Sequence, residues 1–218
     1  MPKWSVLVCF ILLAAPVLAP AETGNHRYVE THGSATQPIV YGVAADGEAF
    51  QVTAVDDGSS NLVRWSPSAG AVAWHWKDTV KKTELDGERV GNVIRLSGTI
   101  EGKPVTRDVK IDGAPWYQIF GPVLGDLLPG IQGQREFWVV NPDDGSAHKM
   151  QVRRAGAERL TLNGTPVDAV KVHFSPAGAL APFWGADYWL RAADSVYVYS
   201  RLPENGGLTV TTIEDPGR

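Results

Sequence analysis

The chain has 218 residues, with 20 Lys and Arg against 24 Asp and Glu, and a single cysteine. Its basic residues are scattered, with Lys81-Lys82 and Arg153-Arg154 the only adjacent pairs, which excludes the clustered basic face of a nucleic-acid binder. One cysteine excludes a disulfide framework and a thiolate metal site.

Residues 1–21 read as a secretion signal. Lys3 supplies the positive start, residues 6–15 the apolar core, and Ala19-Pro20-Ala21 the small-residue cleavage site before Glu22. The apolar run is shorter than the ~20 residues that span a bilayer, so removal is expected rather than anchoring. Cys9 lies inside this core, not at its end, and is no lipidation site. The expected product is a single periplasmic domain, 22–218, without cysteine and without a membrane span. Without Lys3 it carries 19 basic against 24 acidic residues, a mild acidic balance that serves solubility.

Residues 25–33 read as a short first strand or lead-in. Regular β-type runs follow at 39–43, 49–55, 62–65, 71–77, 79–85, 92–100 and 105–111. Between them stand turn sequences such as Ala45-Asp46-Gly47, Asp86-Gly87, Glu101-Gly102 and Asp112-Gly113, and Asp-Gly suits tight hairpins. The series resumes at 135–140, 149–154, 159–162, 169–174, 186–191, 196–202 and 208–213, with Asn163-Gly164 among the later turns. Short strands joined by hairpins imply an antiparallel meander, not βαβ units.

Between the two series lies 115–130, PWYQIFGPVLGDLLPG, where Trp116, Phe120, Val123, Leu124, Leu127 and Leu128 recur at helical spacing. Gly121-Pro122 interrupts it, so the reading is a turn at 116–120 and a fresh helix opening at Pro122. Large apolar groups stand on both alternate sets of 135–140, with Phe137 and Val139 opposing Trp138 and Val140. One short broken helix is too little to cover so many strands. The expected fold is therefore mainly β: an antiparallel meander curled into an incomplete (half) barrel, covered by that helix.

Seven tryptophans remain beyond residue 21. Most fill a wide β core, and a subset lines a cavity for an apolar or amphipathic ligand. The expected lining is Trp74, Trp76, Trp116, Phe120, Leu124 and Tyr188. No histidine pair has metal-ligand spacing, no nucleophile elbow is present, and Asp56-Asp57 and Asp143-Asp144 lie in turn sequences. No cofactor, metal site or catalytic residue is therefore assigned. Asp187, in the apolar run WGADYWL, either faces out or needs a partner such as Arg191 or Arg201. Asn163-Gly164-Thr165 matches a glycosylation triplet but reads first as a turn.

The order of signal, strand meander, apolar insert 115–130 and second meander resembles that of uncharacterised secreted bacterial proteins with a fold like the lipoprotein carriers LolA and LolB. The segments that carry the likeness are GTPVDAVKVHF (164–174), GADYWLRAADSVYVYSRL (185–202) and GLTVTTIED (207–215). The resemblance implies an incomplete barrel around an apolar cavity plugged by helical segments. The expectation is a non-catalytic periplasmic protein that binds a lipid-like or other apolar ligand, or an apolar protein segment. Two alternatives stand beside it: an enzyme using His75, His173 or Asp187 in the same cavity, and an envelope interaction module that recruits a partner strand at an open sheet edge.

Overall fold

The structure is a computed structural model that describes residues 23–66, 70–118, 121, 124–125, 133–204 and 207–217. Fourteen strands form one antiparallel sheet. The first eight are β1 (Gly24–His32), β2 (Ala35–Asp46), β3 (Ala49–Val55), β4 (Ser59–Ser66), β5 (Gly70–Asp78), β6 (Thr83–Val90), β7 (Val93–Ile100) and β8 (Lys103–Lys110). The rest are β9 (Gln134–Val140), β10 (Ala147–Leu162), β11 (Thr165–Pro176), β12 (Ala186–Arg191), β13 (Tyr197–Glu204) and β14 (Gly207–Ile213). Every strand pairs with its sequence neighbours except across the 8/9 connection, and β1 pairs with β14, so β8 and β9 are the two edges. The sheet is not closed into a barrel.

The segment after β8 bridges β5 and the edge strand β9. The expected turn at 116–120 is instead extended at Trp116, which forms isolated bridges to Gly70 and to Trp138. Ala71 N donates to Trp116 O (2.6 Å), Tyr117 N to Trp138 O (2.8 Å) and Trp138 N to Pro115 O (2.8 Å). Tertiary pairing overrides the helical spacing because two strands offer this backbone donors and acceptors that a lone turn lacks. Gly70 has φ 77, and a Cβ there would lie 2.3 Å from Trp116 O. Only glycine lets the two backbones meet. Further on, Leu124 N donates to Gly121 O (3.0 Å). The expected helix from Pro122 otherwise falls at 122–123 and 126–130, outside the described residues.

Two other expectations change. Asp86-Gly87 is not a turn but the middle of β6, because Gly87 makes room: a Cβ would stand 3.0 Å from the Trp116 ring and 3.2 Å from Leu96 and Trp74. The runs 149–154 and 159–162 are one strand, β10, with a bulge between Arg154 and Gly156 that bends the chain without ending it. At its tip Asn163 (φ 49) and Gly164 (φ 79) make the tight turn, and Asn163 Nδ2 donates to Ile213 O and Glu214 O (both 3.1 Å). That amide is engaged as a clasp.

The two edges are also held by charge. Lys81 Nζ meets Asp143 Oδ1 (2.7 Å), and Arg107 donates to Asp144 O (3.2 Å). Asp112 accepts from Lys149 Nζ (2.6 Å), Trp138 Nε1 (2.9 Å) and Ala114 N (2.9 Å). The Lys149 ammonium first, then the indole and the amide, hold its carboxyl well below the usual carboxylate range. Such a group stabilises the fold above its unfolded pKa, near 4, and the contribution is lost as pH falls through the lower folded value. In Asp112→Asn, urea midpoints measured from about pH 5 to about pH 2 should decline less steeply than in the wild type. Parallel pH profiles would remove Asp112 from the seam's acid response.

Candidate ligand-binding cavity

The inner face of the sheet is mostly filled. Trp65, Trp74, Tyr117, Phe137, Leu85 and Val52 are buried there, and rings meet edge-on from Tyr117 to Phe137 (5.7 Å) and from Phe137 to Phe174 (5.7 Å). Above this packed zone lies a cavity of about 210 Å3. Glu30, Tyr41, Ala54, Asn61 and Gln118 line one side; Tyr188, Tyr197, Ser200, Leu202 and Thr211 line the other. Because strands alternate in direction, the ends of β1, β3 and β13 share one end of the sheet, and Glu30, Ala54 and Leu202 lie near those ends.

Its walls are built from tyrosines. Tyr28 stacks on Tyr197 (4.9 Å, 21°) and meets Tyr41 edge-on (5.2 Å, 87°), while Tyr188 tilts against Tyr197 (5.8 Å). Tyr28 donates its hydroxyl to Tyr197 O (2.7 Å), and Tyr197 donates to Ser200 Oγ (2.7 Å). Burial pushes the phenols of Tyr28, Tyr41 and Tyr197 above their ordinary range, so they stay neutral. Glu30 accepts from Gln37 Nε2 (2.9 Å) and from Thr211 Oγ1 (3.4 Å). Among the described residues it is the one charged side chain in the lining.

Gln118 forms the floor and ties it to the edge strand. Its Oε1 accepts from Trp116 Nε1 (2.8 Å) and Val140 N (2.9 Å), and its Nε2 donates to Val140 O (2.7 Å). Trp74 Nε1 donates to Asn61 Oδ1 (2.8 Å), which sets the amide beside it. Gly121 lies against the Tyr41 ring, where a Cβ would come within 3.0 Å of Cε1. Gln118 and Gly121 of the crossing segment thus stand at the cavity's side, the one in its lining and the other against Tyr41.

Of the residues expected to line a site, Tyr188 does line this cavity. Trp116 and Trp74 are buried, edge to face at 6.3 Å, and Trp74 also borders a larger groove across β4 to β8. Leu124 is buried in the core, Trp76 is half-buried against it, and Phe120 lies outside the described residues. Sequence reasoning missed Glu30, Tyr41, Asn61, Gln118, Tyr197, Ser200 and Thr211. A polar residue on the apolar side of an alternating strand was the available signal, as in Glu30 two positions beyond buried Tyr28.

A larger groove of about 640 Å3 crosses β4 to β8, flanked by Arg64, His75, Asp86, Glu88, Arg95 and Asp108. These belong to the alternate set opposite Trp74 and Leu96. Several of its polar groups are already engaged: Arg64 pairs with Asp46 (2.6 Å), and His75 shares a hydrogen bond with Asp86 (2.9 Å). It is a solvated outer face. His173 bonds Asp187 (2.7 Å), which also pairs with Lys171 (2.8 Å), so Asp187 is partnered, though by neither expected arginine. His75 and His173 stand on β5 and β11, with seven strands between them in the sheet order, and neither lines the inner cavity. Among the described residues no cluster of three or more His, Cys, Asp or Glu could hold a metal ion, and no helix is long and apolar enough to cross a membrane.

No family model matches the chain, and no curated protein matches it in sequence. Among solved structures it is similar to a beta-barrel-like protein of the domain of unknown function DUF1849 from Brucella abortus. That comparison gives a TM-score of 0.60 at 10% identity over 87% of this chain and 94% of the other. The likeness is one of fold. LprF from Mycobacterium bovis aligns over 91% of this chain and 88% of its own at 11% identity, but with a TM-score of 0.31 it carries no argument.

Proposed function

We propose that residues 1–21 are a signal peptide and that 22–218 form a periplasmic, non-catalytic half-barrel, similar to the LolA and LolB carriers, that holds an amphipathic or apolar ligand. The supporting observation is the partly polar cavity in an otherwise filled interior. At about 210 Å3 it is smaller than ordinary ligand pockets of roughly 300–1000 Å3, so it suits one end of a longer molecule. Apolar surface is available at the same end of the sheet for the remainder. Of the seven exposed large hydrophobics among the described residues, Val55, Val80, Phe183, Trp184 and Leu208 belong to loops or strand ends there. Scattered exposed apolar residues mean little singly, but these five share one end of the sheet.

The reading also supports an envelope lipid or apolar protein segment as the partner. Mature protein from the periplasmic fraction should begin at Glu22, and organic extraction should release an amphipathic molecule detectable by mass spectrometry. An empty extract, together with no response of fluorescent fatty-acid probes, would overturn the carrier reading.

A further inference from the structure

The composition of the cavity goes further than its existence. Three tyrosine rings (Tyr41, Tyr188 and Tyr197) and one carboxylate (Glu30) share a lining in which every other side chain among the described residues is neutral. We infer that this is a cage for an ammonium group, the cationic head of the ligand proposed above. The inference rests on that reading in one respect, that the cavity binds something.

The chemistry follows from the parts. Aromatic faces carry negative partial charge and attract cations that have shed water, most strongly those whose own hydration is weak. Neutral phenols keep that property, and burial keeps these phenols neutral. Glu30 supplies the counter-charge. An anionic head would face Glu30 with no cationic side chain among the described lining residues to receive it. A divalent metal is a poor match as well, since Ca2+ gathers about 6–8 oxygens and several carboxylates. An ammonium, methylated or not, needs only a low-dielectric aromatic surround and one negative charge. The small volume suits a head group alone.

Tyr41 adds a second recognition element. Its hydroxyl makes no side-chain hydrogen bond among the described residues, whereas Tyr28 and Tyr197 both donate. It is therefore available to accept from an N–H of a primary ammonium, and a fully methylated head would use the ring instead.

The test uses the mature protein after solvent extraction and refolding, titrated by calorimetry with tetramethylammonium, choline and ethanolamine, and with 3,3-dimethylbutan-1-ol, the uncharged isostere of choline. Choline should bind at least ~10-fold more tightly than the neutral alcohol. Glu30→Gln, which preserves the acceptor for Gln37, should weaken choline by a similar factor and leave the neutral alcohol unchanged. Equal affinity for choline and the alcohol, or no heat with any of the four, would overturn the cage. So would a folded Glu30→Gln that binds choline as well as the wild type. The comparison of ligands on the wild type stands even if the variant fails to fold. An extract containing only uncharged apolar molecules, with no choline binding, would sink the cage and leave the carrier reading intact. An empty extract and no response of fatty-acid probes, alongside selective choline binding, would do the reverse.

Discussion

Trp116→Ala should destabilise the fold by about 3–5 kcal/mol, the range for deleting a large buried aromatic. The ring is fully buried, stands edge-on to Trp74 at 6.3 Å, and fills the space left open by Gly87 in the middle of β6. Its removal opens a cavity that neither partner can collapse into, since both sit on strands paired on two sides. The indole also donates to Gln118, which would lose one of its donors. A domain typically has about 5–15 kcal/mol in hand, so the variant should survive at low temperature with a much lower urea midpoint. A loss below about 1 kcal/mol would mean that the surroundings repack freely, contrary to the packing described above.

Gln118→Leu should cost about 3 kcal/mol or more. Leucine nearly matches the volume, so packing is not the cause. The cost arises because Trp116 Nε1, Val140 N and Val140 O each lose their partner from this one amide while staying buried. An unsatisfied buried donor or acceptor costs about 1–3 kcal/mol, more than the bond itself contributes in exchange with water. Hydrogen exchange separates this mechanism from general loosening. The Val140 amide should lose protection well beyond the global change, while amides in the centre of β1 follow the global stability. Uniform loss at both sites, or an unchanged urea midpoint, would count against Gln118 as the tie between the crossing segment and β9.

These two variants share a lesson about what the chain's own order reveals. The helical spacing of 115–130 is real, and it led to a turn at Trp116. In the folded chain Trp116 is extended, because Gly70 and Trp138 meet it from either side. The same contact explains Gly87. Beside Asp86 it looked like hairpin chemistry, yet it is a vacancy shaped for an indole about 29 positions away in the sequence. The break read at 155–158 became a bulge for a related reason: Gly156 adopts φ 147 and bends the strand while β11 continues to pair past it.

The site divides in the same way. Tyr188 was legible because it recurs with Ala186 and Leu190 on the apolar side of its strand. Glu30 and Thr211 were not, since they stand 181 positions apart and share a wall only once β1 pairs with β14. Tyr28 and Tyr197, 169 apart, are joined in the same manner.

The sequence by itself determined the strand-and-turn series, the antiparallel connectivity and the curled, mainly β class. Alternation and Asn-Gly or Asp-Gly turns act over a few residues and need no distant partner. Only the tertiary structure decided which alternating faces turn inward together, what crosses between the two edges, and that the remaining space is tyrosine-walled with one carboxylate. Those outcomes depend on which strands become neighbours, and the local energies of a chain do not encode that pairing one segment at a time.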